Sequence, residues 1–394
     1  MIKSRRGVDN DVLAACKKVI KAPKGVVLLH RPDIVPESRQ LVDDCLETGW
    51  VSSAGRYVGE FESELASYCG AFGSVAVVNG TAALQVGLVV AGVHPGDEVL
   101  CPSLTFVATP NAIRHAGAFP HFVEVEESTF GIDSNRLRSY LLAIGEQRNG
   151  QLANRATGRR ISAVCPMHCL GHPTRIDALM QVAEEFGLTV VEDAAESLGS
   201  FIGDRHTGLF GKVGCISFNG NKIITTGGGG ALISNDRDLL ERAKHLTTTA
   251  RVGSGFEFVH DQVGWNFRMP NINAALGLGQ LRNLDSILLR KRMLADRYRA
   301  AFADVNGVTF ADQPAGCRSN WWLNAILLAP ELAFCRDDML AKLNQEGIQS
   351  RPLWRPMHQL PMYAESPRDD LAITESLASR TINIPSSPDL IDLT

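Results

Sequence analysis

No apolar run in this 394-residue chain reaches the length of a membrane span: the longest, Val75 to Val93, is interrupted by Asn79, Thr81 and Gln85. No secretory leader is expected either, because Lys3, Arg5 and Arg6 are followed by Asp9, Asn10 and Asp11 where an apolar segment is required. Charge of one sign is not in excess. With 39 Lys+Arg against 43 Asp+Glu the net charge is −4, which makes neither nucleic acid nor an anionic membrane the expected partner. The short basic clusters Arg5-Arg6 and Arg290-Lys291-Arg292 read as solvated faces. Cysteine is odd in number (nine) and scattered, which argues against a disulfide framework and for reduced thiols in a cytoplasm. Cys165, His168 and Cys169 have no second pair spaced to complete four ligands, so no metal is expected. No internal repeat or low-complexity linker occurs. No Gly-x-Gly-x-x-Gly follows a strand and no Walker lysine motif exists, which leaves dinucleotide and phosphate-loop readings without support.

What is present is an ordinary globular composition, 45% hydrophobic and 21% charged, in a chain long enough for one large domain and a smaller one. Strand–helix–strand units recur. Val75 to Val78 reads as a buried strand broken by Asn79-Gly80, and Thr81 opens an apolar helix through about Ala91. Glu98 to Leu100 begins another strand, as does Ile161 to Cys165. Thr174 is expected to cap a helix whose Ile176, Leu179, Met180, Ala183 and Phe186 follow the 3.6 period to Gly187, before a strand over Leu188 to Val191. Such alternation predicts an α/β fold with a mostly parallel sheet covered by helices. Beyond about residue 270 the texture changes. Asn273 to Val305 reads as one long helix, Asn324 to Leu328 as a strand and Asp337 to Glu346 as a capped helix. We therefore expect a large domain over 1–270, with an N-terminal helical extension over 1–24, and a small α+β domain over 271–394.

Three features carry chemistry. Asp193 falls at the carboxyl end of a strand, where open parallel sheets bind ligands, although an aspartate there also serves as a helix cap or ribose contact. Gly80-Thr81 sits where a strand hands over to a helix, offering free N–H groups, a helix dipole and a hydroxyl to an anion; an ordinary N-cap has the same appearance. Lys222 lies between apolar strand residues and the run Gly227 to Gly230, the setting of a lysine in a crowded pocket whose amine can be deprotonated for Schiff-base chemistry; a solvated loop is the alternative. Together they supply what a pyridoxal cofactor needs: a lysine for its aldehyde, a carboxylate for its pyridinium nitrogen and an anion site for its phosphate.

From about Leu28 to Ser387 the chain resembles the DegT/StrS family of sugar-nucleotide aminotransferases, of the aspartate-aminotransferase fold. The motifs are Gly49-Trp50-Val51-Ser52-Ser53, Asn79-Gly80-Thr81-Ala82-Ala83-Leu84, Pro102-Ser103-Leu104-Thr105-Phe106, Glu192-Asp193-Ala194-Ala195-Glu196, Ser217 through Gly230 and Gly264-Trp265-Asn266-Phe267-Arg268. Phe218 to Lys222, Thr247 to Ala250 and Arg351-Pro352-Leu353-Trp354 look most like the LegC-type branch, which acts on a UDP-linked 4-keto-6-deoxy-N-acetylhexosamine. The resemblance implies a fold-type I transferase dependent on pyridoxal 5′-phosphate, with a mostly parallel seven-stranded sheet and a small C-terminal α+β domain. It implies that Lys222 carries the cofactor as a Schiff base and moves the proton, and that Asp193 pairs with the ring nitrogen. Gly80, Thr81 and Ser217 would hold the phosphate, joined by Asn266 from a second subunit of a homodimer with shared active sites. Phe106 would stack on the ring, and Glu196, at a position more often Gln or His, would contact the ring side. His358 would lie near the sugar nucleotide, with Ser52, Ser53 and Arg351 as looser substrate contacts. L-Glutamate is the implied amino donor, and bacterial surface-glycan synthesis the implied setting. A lysine where some members carry histidine and dehydrate the sugar favours transamination. The rivals are a GDP- or dTDP-linked 4-keto-6-deoxyhexose as acceptor, as in perosamine synthesis, or a cofactor-binding regulator without turnover.

Overall fold

The structure, a computed structural model, describes residues 2–20, 25–253 and 257–392. Its centre is a seven-stranded sheet of β1 (Gly73–Val77), β2 (Glu98–Pro102), β3 (Phe119–Val123), β4 (Ile161–Val164), β5 (Thr189–Asp193), β6 (Val213–Ser217) and β7 (Gly230–Ser234), in the order β1-β7-β6-β5-β4-β2-β3. Only β7 runs antiparallel to its neighbours. The strands are short apolar runs because both faces are covered. Alternate side chains therefore enter different layers: Val99 and Cys101 of β2 pack on one face and Leu100 on the other, and in β7 Leu232 is opposed to Ala231 and Ile233. One face carries α4 (Gly80–Val90), α5 (Ala108–His115) and α8 (Arg237–Thr247); the other carries α3 (Arg56–Cys69) and α9 (Asn271–Arg282) on one half, α6 (Ser134–Ile144) and α7 (Ile176–Phe186) on the other. Among the described residues no helix is long and apolar enough to cross a membrane.

A second, antiparallel sheet of β8 (Val308–Phe310), β9 (Asn324–Leu328), β10 (Arg351–Pro352) and β11 (Thr381–Ile384) is ordered β8-β9-β11-β10. It shares a core with α10 (Leu284–Phe302), α11 (Arg336–Gln345) and α1 (Ile2–Val19), whose Val12, Ala15, Cys16 and Val19 pack beside Leu294, Tyr298 and Phe302. The N-terminal helix thus packs on the C-terminal part of the chain. Helix α2 (Pro36–Thr48) lies against α9, and α12 (Ala372–Arg380) precedes β11.

Four local expectations are corrected. The long helix over 273–305 is two helices, α9 and α10, because Asn283 (φ −102°, ψ 10°) leaves helical geometry and its amide caps α9 on the Gln280 and Leu281 carbonyls. Thr174 does not cap α7: its hydroxyl is turned against Gly131 and Arg175 occupies the cap without a side-chain bond. Helix α11 starts at Arg336 straight out of a 3-10 turn over Pro330–Cys335 and has no side-chain cap. Lys291 is not on a solvated face. It is fully buried, its amine donates to the carbonyls of Trp322 (3.1 Å) and Ser386 (2.6 Å), and burial holds its pKa well below the lysine range.

Candidate active site

The carboxyl ends of β5 and β6 and the amino end of α4 open onto one cavity of about 340 Å³. Helix α4 follows β1 after a single tight step. Asn79 caps it, its side-chain oxygen accepting from Ala82 N at 2.8 Å. That leaves the first N–H groups of the helix, at Gly80 and Thr81, without intrahelical partners and facing the cavity with the positive end of the helix dipole. Glycine at 80 is required by space: a Cβ there would stand 2.8 Å from Ser217 Cβ and 3.0 Å from its Oγ. Ser217 ends β6 beside it and also lines the cavity.

After Ser217 the chain loops out to Lys222 and back into β7. Helix α9 ties that loop down. Gln280 accepts from Thr225 N (3.1 Å) and donates to Thr225 O (2.7 Å), while Asn273 donates to Thr226 O at 2.6 Å. Gly229 admits no side chain, since a Cβ would lie 2.1 Å from Thr226 Oγ1. Lys222 Nζ emerges 3.4 Å from Glu196 Oε1 and 4.0 Å from the centre of the Trp322 ring. Trp322 is itself held by its indole N–H on Asn221 O, 2.7 Å away.

Both acids on the opposite wall are buried. Asp193 closes β5; Oδ2 accepts from Thr109 Oγ1 at 2.6 Å and Oδ1 from Ala195 N at 3.1 Å. Burial pushes its pKa above the usual carboxylate value, against those two bonds. Glu196 receives Leu170 N–H on Oε2 at 2.9 Å, from a leucine in the left-handed region (φ 58°). Burial raises the Glu196 pKa to about 7 despite the Lys222 charge. Glu192, just before Asp193, is different. Burial works against it, but His168 (2.9 Å) and the amides of Gly208, Phe210 and Gly211 hold its carboxyl low, so it serves the fold.

Of the residues singled out in the sequence, Gly80, Thr81, Phe106, Asp193, Glu196, Ser217 and Lys222 line this one cavity. Ser52, Ser53, Asn266, Arg351 and His358 do not. Asn266 is exposed, in a segment that bridges to Thr248 and lies next to Arg268, which bridges to Val77 of β1. Ser52 and Ser53 are exposed in the loop before α3, and Arg351 is exposed in β10. His358 is engaged through Nδ1 with Ser103 Oγ (2.8 Å) and through Nε2 with Glu375 Oε1 (3.0 Å). The sequence reading missed Thr109, Trp322 and Met167, and quoted Trp354 in a motif without a place in the site. Thr109 stands three residues beyond Phe106, in the first turn of α5, so the quoted motif stopped just short of it. The tryptophans come from the distant C-terminal part of the chain, which no local pattern could bring here. The cavity fits pyridoxal 5′-phosphate: N–H groups and hydroxyls for an ester anion at one end, a buried carboxylate that a ring cation would stabilise at the other, and an amine between aromatic and acidic walls.

Comparison with known proteins agrees. The DegT/DnrJ/EryC1/StrS aminotransferase family matches residues 32–393. The chain is 35% identical over 366 residues to the GDP-perosamine synthase of Caulobacter vibrioides, covering 92% of this chain and 93% of that protein. Its fold superposes on the aminotransferase TlmJ from Streptoalloteichus hindustanus with a TM-score of 0.84 at 29% identity, over 93% of this chain and 95% of that one. It superposes on the PLP form of Spr1654 from Streptococcus pneumoniae with a TM-score of 0.83 at 25% identity, over 93% and 95% of the two chains. A chain with this fold, these motifs and this cavity belongs to the DegT/DnrJ/EryC1/StrS aminotransferase family and is a pyridoxal-phosphate-dependent sugar-nucleotide aminotransferase.

Proposed function

We propose that the enzyme moves an amino group from L-glutamate to the C4 keto carbon of a nucleotide-linked 4-keto-6-deoxy sugar, with UDP-2-acetamido-2,6-dideoxy-4-hexulose as the preferred acceptor, for a bacterial surface glycan. The observation that carries the chemistry is the meeting of Lys222, Asp193 and the Gly80-Thr81 helix end in one cavity. The bound cofactor supplies an electron sink for the carbanion and a carrier for the nitrogen. Gly80, Thr81 and Ser217 would hold its phosphate through N–H and hydroxyl donors, Asp193 would pair with its ring nitrogen, and Phe106 would give the ring an apolar contact. Lys222 takes and returns the proton at the substrate carbon; the buried Glu196 and the Trp322 ring keep its amine in place. Asn266 completes the phosphate site of a partner subunit, and His358, Arg351, Ser52 and Ser53 serve the sugar nucleotide.

A second acceptor, a GDP-linked 4-keto-6-deoxyhexose, is favoured by one finding: the similarity over nearly the whole chain to a GDP-perosamine synthase. The UDP reading rests instead on the motif wording around Lys222 and Arg351. A panel of UDP-, GDP- and dTDP-linked 4-keto sugars, incubated with L-glutamate and read by mass spectrometry, decides between them. Turnover of the UDP-linked acetamido sugar at the highest kcat/KM is the expected result. A preference for the GDP sugar reverses the choice, and no amination of any 4-keto sugar removes the proposal.

A further inference from the structure

Thr109 has no role in the reading above, yet among the described residues it makes the one side-chain hydrogen bond to the buried Asp193. Its hydroxyl lies 2.6 Å from Asp193 Oδ2 and is itself 1% exposed. An ionised carboxylate only accepts, so the single Thr109 proton goes to Asp193. The Thr109 oxygen is then free to accept from Thr105 Oγ1, 2.8 Å away. Thr105 also faces Met167 Sδ at 2.7 Å, but a thioether is the weaker acceptor. The chain of donation therefore runs Thr105 to Thr109 to Asp193. On the other oxygen, among the described residues, only the Ala195 amide donates. Two neutral donors, with the more distant charges of Lys222 and His168, thus support a charge that burial opposes, and the Thr109 bond is the largest of these contributions.

We propose that Thr109, with Thr105 behind it, is a positioning residue for amino transfer: its donated proton keeps Asp193 ionised and fixes the plane of its carboxylate toward the cofactor. The inference rests on the proposed pairing of Asp193 with the cofactor's ring nitrogen. Thr109→Val keeps the shape and removes the donor, whereas Thr109→Ser keeps the donor. Without the donor the ionised form is disfavoured, so Asp193 protonates at a higher pH.

The test uses full-length protein stripped of cofactor and titrated with pyridoxal 5′-phosphate between about pH 5 and pH 9, comparing wild type with Thr109→Val, Thr109→Ser and Asp193→Asn. Thr109→Val is expected to bind the cofactor roughly tenfold or more weakly at neutral pH, the scale of a bond to a charged group. Its affinity should also begin to fall at a pH about one unit higher than in wild type, while Thr109→Ser stays within about threefold of wild type at every pH. An affinity loss equal at all pH values, or a serine variant as weak as the valine one, reduces Thr109 to a packing residue and overturns the proposal. So does a valine variant identical to wild type. If Thr109→Val does not fold, Thr105→Val removes the donor one bond further back and must show the same upward displacement, in smaller measure. Asp193→Asn separates the two readings. If it binds as wild type does with the acid fall unchanged, the pairing of Asp193 is wrong; if it alone loses the acid fall and Thr109→Val does not move it, only the role of Thr109 is wrong.

Discussion

At the scale of single residues the cavity sets two carboxylates three positions apart to different tasks. Asp193 takes two donors, the Thr109 hydroxyl and the Ala195 amide; Glu196 has one backbone donor and an amine 3.4 Å off. The raised pKa of Glu196, about 7 against 4.5, has a measurable consequence in the cofactor-free protein. Between those values the folded state holds a proton there that the unfolded chain has released, so stability present at low pH is lost as pH rises toward 7. Replacement by Gln removes that slope. Thermal unfolding from pH 4.5 to 7.5 should show wild type losing up to about 3 kcal/mol relative to Glu196→Gln, and parallel curves would mean that the carboxyl titrates normally. Lys222 makes the simpler prediction. After borohydride reduction, peptide mapping should find the pyridoxyl group on Lys222, and Lys222→Ala should retain its fold while losing amination by several orders of magnitude. Label on another lysine would refute the assignment.

At the scale of elements the site depends on how closely β1, β7 and the start of α4 approach one another. A Cβ at Gly230 would stand 2.5 Å from Asn79 O and 2.7 Å from Gly80 N, both backbone atoms that cannot turn aside. Gly220, in the Lys222 loop, has nothing within 4 Å. Gly230→Ala is therefore expected to cost about 2 kcal/mol or more and to weaken cofactor binding, because it pushes the helix end proposed to hold the phosphate out of place; Gly220→Ala should change stability by less than about 0.5 kcal/mol. Urea unfolding of the two variants measures the contrast, and equal values would show that the junction yields. Much of this layer was legible in the sequence. Short apolar runs marked β1 and β5, the apolar stretch opened by Thr81 marked α4, a 3.6 period marked α7 and the glycine run marked the Lys222 loop, because each of these is a local signal. What was not legible depends on partners far away in the chain. The break at Asn283 lies inside an apolar pattern that continues through it, and the burial of Lys291 follows from carbonyls at Trp322 and Ser386 that no local window contains. For the same reason Asp193 and Lys222 could be named from their settings, whereas Trp322 could not and Trp354 appeared only within a motif, without a place in the site.

At the scale of the whole molecule, the cavity in one chain contains Gly80, Thr81 and Ser217, the donors proposed for the phosphate, but leaves Asn266 outside and exposed. Large apolar side chains are exposed as well: Trp50 and Val51 in the loop that carries Ser52 and Ser53, and Phe258, Val259 and Val263 in the segment before Asn266. Exposed apolar groups beside unassigned polar ones are what an interface between copies presents in an isolated chain. A two-fold arrangement is the simplest in which each copy lends its Asn266 to the other while keeping its own Lys222. The prediction follows from that exchange. Lys222→Ala chains and chains inactivated at Asn266 are each dead alone, but in a mixed dimer one site collects both defects and the other has neither. Mixing the two under conditions of subunit exchange should restore activity in about half of the sites of every mixed dimer. Light scattering should find the active species to be a dimer. If exchange is demonstrated by labelled subunits and no activity returns, Asn266 acts within its own chain, and the sites are not shared.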